Sequence, residues 1–299
     1  EISSYTQLAA FACNGLLLAM TRGQMRGVMA PLVNYIGLSS REWALSQKPW
    51  GRPRKTYCWL MLQPEMCRRH CMDTRMLDTL SKPALGTLTE PENTASSGTG
   101  LTVALSVGLF RKLIRLPQGE LDMLGAEAVA LTHGGASAFL TGAAIAHIVS
   151  LLVKDTSLPF RNAALDAARA VKEQFGHRYS QAFEVAGQIT LAASMAQDRA
   201  TPPAAVMERL QCENAAQILG GAVYAVLSSG GNLDTALITA VNHSGRSGAV
   251  ASLVGAFLGL ILGEGALPEF YIECLEPAET LRELADDMFQ GCTMDRSSK

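Results

Sequence analysis

The chain has 299 residues, of which 48% are hydrophobic, 17% are charged and only 6% are aromatic, and its formal net charge is −2. This balance gives no general electrostatic attraction to nucleic acid or to an anionic membrane, so neither is an expected partner. The length suits one large domain or two small ones. Because the apolar residues are mostly Ala, Leu, Val and Gly, the composition favours close-packed helices over a β-sandwich.

Helices are predicted from the start of the chain. Apolar residues at helical spacing predict one helix over Thr6–Thr21, ended by Gly23, and a second helix over about Arg26–Gln47. The basic loop Lys48–Lys55 follows, with two prolines and one aromatic residue. It is either a contact for an acidic partner or a solvated connector, and the connector is the favoured interpretation.

Short helices are predicted at Trp59–Leu62 and within Glu65–Leu80, before the irregular segment Lys82–Gly100. Irregular segments of this length inside a compact domain are often functional or mobile. Beyond it nearly every segment is predicted to be helical. In chain order these helices are Leu101–Ile114, Pro117–Thr132, Ala136–Val153, Phe160–Phe175, Tyr179–Gln197, a short helix capped by Thr201, Asn214–Leu227, Leu233–Val241 capped by Asn232, and the amphipathic stretch Glu276–Phe289.

Seven scattered cysteines predict reduced thiols and a cytoplasmic setting. Cys58, Cys67, His70 and Cys71 lie close together in sequence, and Cys67 and Cys71 would share one face of a helix. No second C-x-x-C or H-x-x-H pair accompanies them, so a zinc site is not predicted.

The segment Gly134–Val153 is long and apolar enough to span a membrane. It contains His147 and many small residues, and no basic cluster flanks it. A buried core helix with a structural His147 is therefore the prediction.

The turn Asn242–Gly248 feeds directly into Ala249–Gly263, a helix that is apolar all round. Such a helix is predicted to lie in the middle of a core. Its first turn presents free backbone N–H groups and the positive end of the helix dipole. This is a favourable place for a functional site.

No fixed-period repeat and no long strand-like alternation occurs. We therefore predict an all-α protein, a single compact domain of many helices over residues 1–292, with a frayed tail at 293–299.

Five segments are similar, in the same order, to the motifs of one known family. They are Ser3-Ser-Tyr-Thr-Gln7, Trp59-Leu-Met-Leu-Gln-Pro-Glu-Met66, Ser97-Gly-Thr-Gly100, Ala130-Leu-Thr-His-Gly134 and Ala240-Val-Asn-His-Ser-Gly245. They resemble the T-D-D-T-Q-M, W-L-L-x-x-P-E-L, G-C-G-G, A-x-L-T-H-G and A-V-N-H-S-G segments of the ADP-ribosylglycohydrolase family. The resemblance covers nearly the whole chain and implies an orthogonal helix bundle of that family's type. The family pattern begins with a further segment containing a G-D-A-L-G motif, which these residues lack.

The resemblance also implies a metal site. Family members hold one or two Mg²⁺-type ions with the Thr and Asp residues of T-D-D and with the two Asp and the Ser or Thr of G-D-S-D-S/T. Hard divalent cations prefer oxygen ligands, and here they would orient ADP-ribose and position a water. The corresponding residues of this chain are Ser3, Ser4, Tyr5, Arg246, Gly248 and Ala249.

All four family carboxylates are thus replaced, and Arg246 places a fixed positive charge at a cation position. The arginine of the family's glycine-rich loop falls on Val103. We therefore expect no Mg²⁺ cofactor and no metal-dependent hydrolysis. Arg246 would either bind a phosphate or carboxylate at the helix N-terminus or pair with an acidic side chain.

The ligand-binding candidates are Ser3, Ser97, Gly98, Thr99, Gly100, Asn242, Ser244, Gly245, Arg246 and Ser247. The weak catalytic candidates are His133 and His243. His133 either faces the pocket or satisfies the core, and the core role is favoured. His243 would need an acidic residue to orient it as a general base, and no such residue is evident from the sequence.

We expect a hydrolase-like pseudoenzyme that acts by binding. Some family relatives serve as immunity proteins, so one role is to neutralise a partner such as an ADP-ribosyltransferase toxin, or to bind an ADP-ribosylated protein. One alternative is a sensor for ADP-ribose or a nucleotide. The other is a hydrolase of ADP-ribosyl linkages with metal-free chemistry at His243 or His133.

Overall fold

A computed structural model describes residues 2–48, 55–70 and 73–291. Within these ranges the chain forms fourteen α-helices and no strand, which confirms the all-α prediction. Most of the predicted basic loop, Cys71 of the rejected zinc group and the tail 293–299 lie outside the described residues.

The helices follow one another with mostly short connections. They are α1 (Ser4–Arg26), α2 (Leu32–Ser46), α3 (Thr74–Leu80), α4 (Val103–Leu109), α5 (Gln118–Ala130), α6 (Ala136–Lys154) and α7 (Phe160–Phe175). The second half contains α8 (Gln181–Met195), α9 (Pro203–Leu210), α10 (Ala215–Ser228), α11 (Leu233–Val241), α12 (Ser247–Leu262), α13 (Glu269–Glu273) and α14 (Ala278–Gln290). Short 3-10 turns occur at Trp59–Leu62, Pro64–Cys67, Phe110–Lys112 and Glu264–Ala266.

The boundary between the first two helices differs from the prediction. Gly23 does not end α1, which continues to Arg26 and stops at Gly27 with φ of +69°. This left-handed conformation favours glycine and is a common way to end a helix. The predicted second helix therefore begins at Leu32, after Pro31, and not at Arg26.

One of the two predicted caps, Asn232, is confirmed, and Asn214, predicted as the first residue of its helix, is also a cap. The side chains of Asn214 and Asn232 each accept a backbone N–H from the first turn of α10 and α11. The predicted Thr201 cap is wrong, because Pro202 occupies the cap position of α9. The Thr201 hydroxyl instead donates to Asp198 Oδ2 over 2.6 Å. The Thr201 side chain therefore stabilises the loop before α9 and does not cap the helix.

Helix α6 is the central element of the bundle. It packs against α4, α5 and α7, and 83% of its most apolar stretch is buried inside the protein. By length and hydropathy it is the one helix among the described residues that could cross a membrane, but its burial is that of a core helix. The crossing with α5 is close, since a Cβ on Gly125 would lie 2.8 Å from the carbonyl oxygen of Gly142.

The prediction that the apolar helix after the turn lies in the middle of the core is wrong. Helix α12 packs mainly against α10 and α11, and less against α6 and α1, with one face only. Its buried residues are Ala249, Val250, Leu253, Val254, Phe257 and Leu258. On the outer face Gly255 and Gly259 have nothing within contact distance of a Cβ position. Small residues form much of this face, and Ile261 near the end of the helix is exposed.

His147 joins three helices in the interior. Its Nδ1 lies 2.8 Å from Asp122 Oδ2 on α5, and its Nε2 lies 3.1 Å from Asp166 Oδ2 on α7. Burial opposes protonation, but the hydrogen bonds and charges of Asp122 and Asp166 outweigh it and raise the pKa of His147. With a carboxylate at each nitrogen, the ring is an imidazolium that donates twice, in agreement with the structural role expected from the sequence.

This ion cluster predicts a pH-dependent stability. A raised His147 pKa contributes stability that is complete below about pH 6.5, its ordinary value, and is lost as the pH rises through the folded-state pKa. His147→Leu should lower the free energy of unfolding by about 3–5 kcal/mol at pH 6, because it leaves the buried Asp122 carboxylate without its positive partner. Denaturant titrations between pH 6 and 9 measure both effects.

The matched control is the double variant Asp122→Leu/His147→Leu, which removes both buried charges and should recover much of the lost stability. An unchanged pH profile in His147→Leu would contradict the role of the cluster.

Candidate functional site

A cavity of about 310 Å³ lies where the first turn of α1 faces the start of α12. Its lining comprises Ser4, Tyr5, Asp73, Arg75, Met76, Ser97, Gly98, Thr99, Arg246 and Ala249. Residues from both predicted metal-ligand segments therefore meet here, although they are about 240 positions apart in the sequence. Its volume is at the lower end of the range of about 300–1,000 Å³ typical of small-molecule sites. We call it the Tyr5–Arg246 pocket.

Ser4 and Tyr5 line the pocket from the first turn of helix α1. Ser3 caps the helix, with its Oγ accepting the N–H of Thr6 over 3.4 Å, and it is exposed outside the cavity lining. The Tyr5 carbonyl accepts the Thr102 hydroxyl over 3.0 Å, which ties α1 to the segment before α4. Ser3, a predicted ligand residue, thus has a local structural function.

The segment carrying Ser97–Thr99 crosses the turn between α5 and α6 in direct contact. Asn93 Oδ1 accepts the Gly134 N–H over 3.1 Å, and Gly135 N–H donates to the Ala95 carbonyl over 2.9 Å. A Cβ on Gly134 would lie 2.1 Å from the Asn93 carbonyl oxygen. Only glycine permits this approach. This backbone contact sets where the Ser97–Thr99 segment lies relative to the turn between α5 and α6.

His133 holds the same segment through hydrogen bonds to two of its side chains. Its Nε2 lies 3.0 Å from Ser97 Oγ and 2.8 Å from Thr99 Oγ1, and its Nδ1 lies 2.8 Å from Thr132 Oγ1. Burial lowers the pKa of His133 to about 4 despite the opposing charge of Asp73, so the ring is neutral at pH 7.

Gly100 packs directly on the His133 ring, since a Cβ added at Gly100 would lie only 2.5 Å from His133 Nδ1. Neither His133 nor Gly100 lines the cavity. His133 therefore orients the Ser97 and Thr99 hydroxyls and does not itself face the pocket, which is the core role favoured from the sequence.

His243 is engaged within its own turn. Its Nδ1 accepts the Gly245 N–H over 3.1 Å, and its Nε2 lies 2.9 Å from the Ala240 carbonyl oxygen, which can only accept. These contacts make Nε2 the donor and Nδ1 the acceptor of the ring. Both nitrogens are thus used for the backbone turn, and His243 does not line the cavity.

The rest of the turn is fastened to neighbouring helices. Asn242 Nδ2 donates to the Ile238 carbonyl over 2.7 Å, and the Ser244 N–H and hydroxyl donate to Glu208 over 2.8 and 2.6 Å. The Arg246 N–H donates to the Cys212 carbonyl over 2.9 Å. Of the turn candidates Asn242, Ser244, Gly245, Arg246 and Ser247, the cavity lining includes Arg246 alone. The hydrogen bonds of the turn therefore hold the backbone that positions Arg246 in the cavity lining.

Three charged side chains set the electrostatics of the pocket. Arg246 Nε lies 3.2 Å from Glu213 Oε2, but both side chains are more than half exposed, so this pair contributes little. Asp73 accepts the Arg75 N–H over 3.0 Å and the Thr99 hydroxyl over 3.3 Å. Burial acts to raise the pKa of Asp73, but the hydrogen bond and charge of Arg75 outweigh it and hold the pKa below its ordinary value. The pocket thus contains two guanidinium groups and one carboxylate.

Asp73, Arg75 and Met76 were not predicted from the sequence. Asp73 caps α3 by accepting the N–H of Arg75, which an Asp before a short helix could have suggested. No local pattern indicates, however, that the start of α3 faces the first turn of α1. Their place in the pocket follows from how the chain packs between α2 and α4.

The sequence model of one protein family, described as ADP-ribosylglycohydrolase, matches residues 1–298. No curated protein matches the chain. The match includes all the segments on which the sequence resemblance rests, and the all-α architecture agrees with it.

The His133 contacts predict a non-additive effect of two substitutions. Ser97→Ala or Thr99→Val alone leaves one hydroxyl on Nε2, whereas the double variant leaves this buried nitrogen unpaired. The double variant should therefore lose about 1–3 kcal/mol more than the sum of the single variants. Denaturant unfolding of the four proteins measures this difference. Additive losses would show that the two hydroxyls do not share this ring nitrogen.

Proposed function

Because the chain belongs to the ADP-ribosylglycohydrolase family, we propose that it is a member that binds an anionic, ADP-ribosyl-type ligand without metal-dependent hydrolysis. One observation carries this proposal: Arg246 lines the pocket together with Arg75, at a position where the family has a metal-binding carboxylate. The pocket thereby favours a negatively charged ligand over a cation.

The residues at the family's metal positions do not suit Mg²⁺. Ser4 and Tyr5 offer neutral hydroxyls, Ala249 and Gly248 offer no side-chain donor, and Arg246 is a permanent cation. Burial raises the pKa of Tyr5, so its phenol stays protonated even though Arg246 acts in the opposite direction. Within the described ranges no group of three His, Cys, Asp or Glu side chains has a spacing that could hold a metal ion.

The surroundings of the two arginines suit a pyrophosphate. Guanidinium groups bind phosphate oxygens with paired hydrogen bonds, and the Ser97 and Thr99 hydroxyls lie on the same cavity wall. An adjoining cavity of about 770 Å³ shares Arg75 and Ser97 with the pocket. A ligand held at its phosphates can therefore extend beyond the smaller cavity. The metal-free hydrolase alternative is less favoured, since His133 is buried and His243 is engaged in its turn.

Calorimetric titration with ADP-ribose in the presence of EDTA tests the proposal. Binding should persist without metal, and Arg246→Ala should weaken it about tenfold, the loss expected for one charged hydrogen bond. Arg209→Ala, on the exposed face of α9 and outside both cavities, is the matched control. Absence of binding, or Mg²⁺-dependent turnover of ADP-ribosyl-arginine, would overturn it.

A second candidate is neutralisation of an ADP-ribosyltransferase partner, as an immunity protein does. An apolar surface favours it: Ile238 and Val241 are 61% and 49% exposed on α11, immediately before the turn that carries Arg246. Phe270 and Tyr271 on α13 are also exposed, and the Tyr271 hydroxyl donates to Asp234 on α11 over 3.3 Å. Exposed apolar side chains grouped beside a pocket are typical of protein contacts.

Affinity capture from the protein's own host, followed by size-exclusion chromatography, tests this candidate. A stable complex with an ADP-ribosyltransferase should form in EDTA and should be lost in Ile238→Glu/Val241→Glu. The control is Phe183→Glu, at an exposed aromatic residue on α8. Failure to recover such a partner would remove this candidate without affecting ADP-ribose binding.

A further inference from the structure

A second cavity, of about 640 Å³, lies between α2, the segment 85–89 and α5. It shares no lining residue with the Tyr5–Arg246 pocket. Its walls are mainly apolar and include Val33, Leu38, Leu85, Leu88, Met123 and Leu131. A concave site of this volume, with apolar walls and few polar groups, has the usual character of a small-molecule site.

One polar group in this lining is a donor without an acceptor. Arg41 Nη2 donates to the carbonyls of Lys82 and Pro83 over 2.6 and 2.9 Å. Its Nε is buried, has no hydrogen-bond partner within the part of the chain that the structure describes, and cannot be reached by a water-sized group. Its Nη1 is accessible and likewise has no partner among the described residues, so a ligand acceptor in the cavity would bind there.

The charged groups in the lining favour an anion. Arg41 and Arg178 provide two guanidinium groups, against the single carboxyl of Glu127. Glu127 is half-buried and has no side-chain partner among the described residues, and burial alone raises its pKa. Arg178 is exposed and stacks over the Tyr179 ring at 5.4 Å. Neither arginine is therefore neutralised by Glu127, and the cavity retains a positive charge.

We propose that this cavity binds a small amphipathic carboxylate, with its apolar body against the leucine-rich walls and its carboxylate accepting from Arg41 Nη1. This site is independent of the function proposed for the Tyr5–Arg246 pocket. Burial of apolar surface favours the body of the ligand, and the guanidinium selects its head group.

Three probes with one apolar body and different head groups test the proposal: octanoate, octanol and octylamine. Calorimetric titration of the full chain should show octanoate binding about tenfold more tightly than octanol, and octylamine most weakly. Saturating ADP-ribose should not displace octanoate, because the two pockets are separate. Equal affinities, a preference for octylamine, or no binding of octanoate would overturn the proposal.

Two variants locate the head group. Arg41→Met keeps the aliphatic stem and should abolish the preference for octanoate over octanol. Glu127→Gln keeps the shape and removes the opposing charge, so octanoate should bind several-fold more tightly. Glu120→Gln, an exposed position on the same helix, is the matched control and should change nothing. If Arg41→Met loosens the 82–83 segment, the Glu127→Gln result still decides, since an unchanged octanoate affinity would contradict the proposal.

Discussion

The passage of residues 93–100 across the turn between α5 and α6 is the contact on which the candidate site depends. Gly134 lets the two backbones approach within a distance that a side chain would prevent, and Asn93 closes the crossing with a hydrogen bond. Buried His133 then fixes Ser97 and Thr99 above it. Without this crossing the irregular segment would have no defined position, and the pocket between α1 and α12 would lack one wall.

Two buried histidines show how surroundings decide the charge of the same ring. His133 meets hydroxyl groups, so desolvation prevails and the ring is neutral. His147 meets a carboxylate at each nitrogen, so attraction outweighs desolvation and the ring is charged. The neutral ring can position hydroxyls in the site without adding charge to it. The charged ring instead couples three helices in a distant part of the bundle.

The Tyr5–Arg246 pocket carries an arginine at a position that the family resemblance assigns to a metal-binding carboxylate. The fold still brings the first turn of α1 opposite the start of α12, and the intervening space has a size suited to a ligand. Arg246 and Arg75 both line that space, and Asp73 accepts hydrogen bonds from the Arg75 N–H and the Thr99 hydroxyl. The proposed preference for an anionic ligand rests on this arrangement of charges.

The sequence by itself determined the helical class, the limits of α7, the Asn232 cap of α11 and the order of the family motifs. These features are local, because helical periodicity and caps depend on residues a few positions apart. Tertiary structure alone decided that α12 lies at the periphery, that Asp73 and Arg75 enter the pocket, and that Ser3 and His243 do not line it. Periodicity reports which side chains are apolar or polar, but which neighbours cover or bind them depends on packing between segments that are far apart in the sequence.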